Sequence, residues 1–157
     1  MKAATVAQIK KELGHQSQSE LIELCLRLSK FKKENKELLT YLLYESENES
    51  GYIESVKTEI DEQFKGINTS SYFYIKKSVR KILRMVKKYI RYSKLKETEV
   101  ELLLHFCRTL KEMQPSMYKN VSLTNIFNRQ ILSIKKTIAA LHEDLQYDYN
   151  LELDELV

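Results

Sequence analysis

Apolar residues recur along this chain at intervals of three and four, the spacing of helices that are buried on one side. Thr5 with Gln8 has the form of a capping box and Gly14 is placed as a C-terminal stop, which predicts a short first helix over Val6 to Leu13. Ser17 with Glu20 repeats the box. Leu21, Leu24, Cys25, Leu28, Phe31, Leu38, Leu39, Leu42 and Leu43 then keep helical spacing to about Glu45. The polar interval Lys32 to Glu37 can interrupt this run, so it is either one long helix or two. After a polar connection at Ser46 to Gly51, the residues Ile53, Val56, Ile60 and Phe64 mark a third helix that Gly66 can end. This helix is acidic, with Glu54, Glu59, Asp61 and Glu62.

Asn68 to Ser71 supplies N-cap candidates for the most strongly patterned element, which runs to about Ser93. Ile75, Val79, Ile82, Leu83, Val86 and Ile90 fall on one face of it. Lys76, Lys77, Arg80, Lys81, Arg84, Lys87, Lys88 and Arg91 fall on the other. A further capping box, Thr98 with Glu101, predicts a fifth helix over about Glu99 to Met113, with Pro115 just beyond it. Ser122 opens a long final helix through Ile126, Phe127, Ile131, Ile134, Ile138, Leu141 and Leu145, which merges into an acidic tail from about Asp148.

About six helices are therefore expected in a single domain spanning residues 1–157. Two hairpins, Tyr52 to Ser93 and Glu99 to Tyr147, can form a compact bundle or a short HEAT-like stack, because both need the same apolar stripes. No repeat consensus recurs at a fixed period.

Composition points to the same class. Three Gly and one Pro in 157 residues leave little of the turn chemistry that β-hairpins need, so the fold is all-α. With 43% hydrophobic and 31% charged residues the chain is expected to fold rather than stay disordered. It has no run of about eighteen apolar residues, and Met1 to Leu13 lacks the apolar core of a signal peptide, so a soluble cytoplasmic protein without membrane contact is expected. Cys25 and Cys107 each lie on a helical apolar stripe and read as buried thiols rather than a disulfide.

The order of elements carries a resemblance. Lys10, Lys11, Glu12 and Leu13 lead into Ser19, Glu20, Leu21, Ile22, Glu23 and Leu24, and the Lys/Arg-rich helix is followed by Glu99, Val100, Glu101, Leu102, Leu103 and Leu104. In this the chain resembles a group of small uncharacterised all-helical bacterial proteins known only as a domain of unknown function. The resemblance spans most of the chain and implies a helical fold. It brings no activity and no site residues.

No motif calls for a particular chemistry. Gly14, Gly51 and Gly66 are too far apart to cradle a phosphate, so neither a P-loop nor a dinucleotide fingerprint is present. The run His142, Glu143, Asp144, Leu145, Gln146 puts Gln where a zinc protease needs its second His. His105 and Cys107 are two apart on a helix and point in different directions, which argues against a metal site shared with His142. Glu143, Asp144 and Asp148 read as a solvated acidic face, and no Ser, Cys or Lys stands beside a recognisable base. The expectation is a protein without catalytic residues, metal or cofactor and without an evident small-molecule ligand.

Charge is the one landmark. Lys65 to Lys96 holds eleven Lys or Arg and no Asp or Glu, while the rest of the chain has fifteen basic residues against twenty-two acidic. The formal charge of +4 thus comes from one helix on an otherwise acidic chain. The plainest reading is that the acidic third helix and tail neutralise the basic face, in pairs that each contribute about 0–1 kcal/mol. The leading functional reading is a non-enzymatic interaction module that presents this face to an acidic protein partner or to another copy of itself. The alternative is nucleic-acid binding without base specificity, since Tyr72, Phe73, Tyr74, Tyr89 and Tyr92 lie in or beside the helix and stacking rings accompany cationic grooves in single-strand binders. Of these rings, Tyr74 and Tyr92 are expected to be exposed, Tyr72 and Tyr89 to sit at the core edge.

Overall fold

The computed structural model describes residues 1–157 as eight α-helices without a strand. They gather into two compact units, Met1–Tyr44 and Glu45–Val157. The helix number exceeds the expected six because two of the anticipated helices are each divided.

In the first unit α1 (Val6–Leu13) is held by a complete capping box: the Gln8 amide donates to Thr5 Oγ1 at 3.3 Å and the Thr5 amide to Gln8 Oε1 at 2.9 Å. Helix α2 (Gln18–Phe31) starts on Ser17, whose Oγ accepts from the Glu20 amide. It stops at Lys32, which is extended, and α3 (Lys33–Thr40) begins immediately after. The polar interval therefore does break the run. Asn35 stabilises the break by donating from Nδ2 to the end carbonyl of Leu28 at 2.8 Å. Residues Tyr41–Glu45 continue as a π-helical turn. Only Ser29 and Tyr41 are buried in this unit, while Val6, Ile22, Leu28 and Phe31 are among its exposed apolar side chains. Cys25 is exposed as well, contrary to expectation, because the α2–α3 groove it lines with Leu28, Leu38 and Leu42 is open.

The second unit comprises α4 (Glu49–Lys65), α5 (Tyr72–Ser93), α6 (Lys96–Glu112), a 3₁₀ turn at Met117–Lys119, α7 (Val121–Ile138) and α8 (Glu143–Leu156). Helix α6 is its centre and packs against α4, α5, α7 and α8. Its sequence fits that place: Leu102, Leu103 and Leu104 are consecutive and all buried, so α6 is apolar around most of its girth. Around it lie Ile60 from α4, Ile75, Val79 and Val86 from α5, Leu123 and Ile134 from α7, and Leu153 from α8, all at most 2% exposed.

Three details differ from the sequence reading. Thr98 does not cap α6; it lies inside the first turn, fully buried, and donates to Glu49 Oε1 at 2.6 Å. Ser93 donates to the same carboxylate oxygen, so Glu49 ties the start of α4 to the α5–α6 corner. Helix α7 is capped by Asn120 rather than Ser122, through a 3.1 Å bond from the Leu123 amide. The long final helix ends at Ile138, and the acidic tail is helix α8 with Tyr149, Leu153 and Leu156 buried. No Gly or Pro marks this break. Side chains make it: Gln146 Nε2 donates to the Leu141 carbonyl at 2.7 Å, and His142 Nδ1 accepts from the Asp144 amide at 3.3 Å.

Candidate functional site

Helix α5 buries Ile75, Val79, Ile82 and Val86, and this stripe fixes the direction of every other side chain on it. Lys77, Arg80, Lys81, Arg84, Lys87 and Arg91 are exposed on the opposite arc, and Lys76 and Lys88 are half-buried at its flanks. From Lys76 to Arg91 the arc extends about 23 Å. Lys88 leans over the Tyr89 ring, its Nζ 5.3 Å from the centroid. The other seven cations form no ion pair within the chain.

The acids of the third helix expected to neutralise them are occupied elsewhere, as is Glu152 of the tail. Glu54 pairs with Lys57 at 3.4 Å and Glu62 with Lys65 at 3.3 Å, both along α4 itself. Asp61 Oδ1 meets His105 Nε2 at 2.7 Å, and Glu59 accepts from the Tyr89 hydroxyl at 3.2 Å. On α8, Glu152 reaches Arg108 of α6 at 3.6 Å. The reason is directional: the α5 stripe that packs on its neighbours is opposite the basic arc, so side chains of α4 meet α5 at its edge and cannot reach its back. The expectation that the third helix covers the basic face is therefore corrected for these seven residues.

The aromatic residues divide differently from the expectation. Tyr74 is exposed, 46%, as anticipated, but Tyr92 is only 9% exposed, its ring 5.9 Å from that of Tyr89. Tyr92 stands at the boundary of the apolar stripe, where a ring is long enough to fold inward against a neighbouring ring. Phe73, named among these rings without an expected exposure, is 67% exposed and sits edge-on to Tyr74 with centroids 5.4 Å apart. A signal was available: Phe73 stands four, seven and eleven residues before Lys77, Arg80 and Arg84, and so on the line of the cations rather than the line of the core.

The remaining candidate residues do not converge. Cys107 is buried among apolar side chains, and that burial pushes its thiol up to about 12. His142 caps α8 and His105 faces Asp61; no three His, Cys, Asp or Glu side chains gather as metal ligands would. Thr109, the hydroxyl one turn on from His105, donates to the His105 carbonyl at 2.9 Å. A second polar cluster besides that at Glu49 is structural. Lys57 Nζ lies 2.8 Å from Glu101 Oε2, while the Tyr149 hydroxyl lies 2.9 Å from Glu101 Oε1 and 3.0 Å from Glu97 Oε1. It joins α4, α6 and α8. Burial alone would lower the Lys57 ammonium, but its bond to Glu101 and that carboxylate's charge hold it above its ordinary value. Burial likewise opposes the charge on Glu101, and the bonds from Lys57 and Tyr149 outweigh it to hold that carboxyl below its ordinary value. Burial, with two carboxylates beside it, pushes the Tyr149 phenol upward.

Comparison with known proteins finds no matching family model, no curated relative and no matching solved structure. No helix is long and apolar enough to cross a membrane.

Proposed function

We propose that this chain is a non-enzymatic helical module whose α5 face docks a polyanion, and that the polyanion is a nucleic-acid backbone. The observation that carries the reading is the row of seven unpaired cations along one helix. Leaving such a row without internal partners makes the face self-repulsive, and a line of phosphates relieves that repulsion while releasing condensed counterions. The choice between polyanions rests on what the arc lacks. Between Lys76 and Arg91 every large apolar side chain of α5 turns at least partly inward, so the outward arc has no apolar anchor of the sort that dominates protein–protein hot spots. Contacts of this kind read charge spacing, not base sequence.

The test is fluorescence anisotropy with a short duplex at about 50 mM salt. Replacing Arg80 and Arg84 by Gln is expected to weaken binding roughly ten- to a hundredfold, from the loss of two phosphate contacts. Arg129→Gln on α7, equally exposed, is expected to leave it unchanged within about twofold. Equal effects of the two changes would sink the proposal.

A second reading, an acidic protein surface, is favoured by one observation. Helix α8 displays Glu143, Asp148, Asp154 and Glu155 exposed and without ion pairs, so a second copy of the chain offers a face of opposite sign. The two faces are different patches, which makes the contact heterologous and concentration-dependent. Sedimentation at low and high salt reads it: a monomer at every ionic strength removes this version.

A further inference from the structure

Beyond a generic polyanion face, the two ends of the arc differ. At its N-terminal end Phe73 and Tyr74 are exposed and paired edge to face. Tyr72, on the flank of α5 away from Tyr74, donates from its hydroxyl to the Ser116 carbonyl at 2.8 Å and thereby fastens the start of α5 to the segment that enters the 3₁₀ turn. Two outward rings, Phe73 and Tyr74, thus stand at one end of the cation row. They start the row rather than interrupt it, because Phe73 is followed at helical spacing by Lys77, Arg80 and Arg84, and Tyr74 by Lys77 and Lys81.

We infer that this end of α5 is a stacking platform for unpaired bases, so that the nucleic acid the module takes is single-stranded. The inference rests on the reading of α5 as a nucleic-acid face and deepens it. In a duplex the base faces are already stacked and out of reach, leaving the rings idle. In a single strand one or two bases can lie on Phe73 and Tyr74 while the following phosphates run along the cations, which is how sequence-tolerant single-strand binders divide the work. A lipid surface is the other chemistry that takes aromatic and cationic side chains together. It needs apolar residues along the whole inserted face, and from Lys76 to Arg91 the exposed arc has only cations.

The chain contains no tryptophan, which makes a direct assay available. Phe73→Trp in the full chain introduces a single reporter on an exposed position, where the larger ring meets no core. Titration with oligo(dT) is expected to quench its fluorescence, with single-strand affinity at least tenfold above that for a duplex of equal length. In the otherwise unaltered chain, Phe73→Ala with Tyr74→Ala is expected to lower single-strand affinity at least tenfold and to leave duplex affinity within about twofold. Quenching absent at saturating oligo(dT), or single-strand affinity indifferent to both alanines, overturns the platform while duplex binding through α5 survives. Absence of binding to either form at 50 mM salt overturns the platform and the α5 reading together. Retention on phosphatidylserine vesicles that depends on Phe73 and Tyr74, with oligonucleotide binding indifferent to them, also overturns it in favour of a membrane surface.

Discussion

Replacing Glu101 by Gln tests how the second unit holds its helices together. Glu101 sits on the central helix and takes Lys57 of α4 on one carboxylate oxygen and the Tyr149 hydroxyl of α8 on the other, at 2.8 and 2.9 Å. The Lys57 and Glu101 side chains are 21% and 26% exposed, so water screens the pair only partly. A fully buried pair broken on one side costs about 3–5 kcal/mol and a surface pair about 0–1. This intermediate case should lose about 2 kcal/mol, a fall in Tm of roughly 6–10 °C for a unit of this size. The Tyr149 hydroxyl can still donate to Glu97, at 3.0 Å, which keeps α8 docked.

The pH dependence has a fixed sign. The Glu101 carboxyl lies below its ordinary value in the folded state, so its contribution is present above about 4.5, its unfolded value, and is lost as pH falls through the folded one. Lys57 lies above 10.5, so its contribution is complete below that value and is lost as pH rises through the folded one. Thermal unfolding followed by circular dichroism should therefore show a constant gap between the wild type and Glu101→Gln from about pH 5 to 9, narrowing in acid. A double-mutant cycle with Lys57→Met should give a coupling of about 1–2 kcal/mol. A gap under 2 °C at pH 7, or one that widens in acid, would refute the role given to this cluster.

Other outcomes follow from single positions. Lys94 ends α5 in the left-handed region, φ 62°, where a side chain is strained, so Lys94→Gly should raise stability by about 1 kcal/mol, read as an increase in Tm of roughly 3–5 °C. A maleimide at pH 7.5 should modify the exposed Cys25 within minutes and leave Cys107 unmodified until the second unit unfolds, because that thiol is buried and raised to about 12; mass spectrometry of the two peptides decides it. Thr98→Val removes the buried hydroxyl that donates to Glu49 and should cost about 1–2 kcal/mol in denaturant unfolding.

What could be read from the chain divides by the kind of signal involved. Local chemistry was legible where one residue pair carries it: Thr5 with Gln8 forms the full box and Ser17 caps through the Glu20 amide, and of the six stripe residues of α5 Ile75, Val79, Ile82 and Val86 are buried while Leu83 and Ile90 are half-buried. It misled where the same pattern served a tertiary purpose, as when Thr98 with Glu101 imitated a cap while both side chains were committed to α4. The end of α7 was hidden because no breaker residue makes it; Gln146 bonds back to carbonyls that a continuous helix would have used. The charge pattern showed where the cations are. It could not show whether acids three or four turns away would reach them, since that depends on which edge of α4 meets α5. Phe73 was named but not placed, although its alignment with Lys77 and Arg80 shows that it faces outward.

The central claim is that the free cations of α5 meet phosphates, and its most direct test is the salt dependence of duplex binding by the unaltered protein. If five to seven of those cations each neutralise one phosphate, log affinity against log salt between 50 and 300 mM should fall with a slope of about −4 to −6. Arg80→Gln with Arg84→Gln should make that slope shallower by about two. A slope near zero, or one that the two substitutions leave unchanged, would contradict the account.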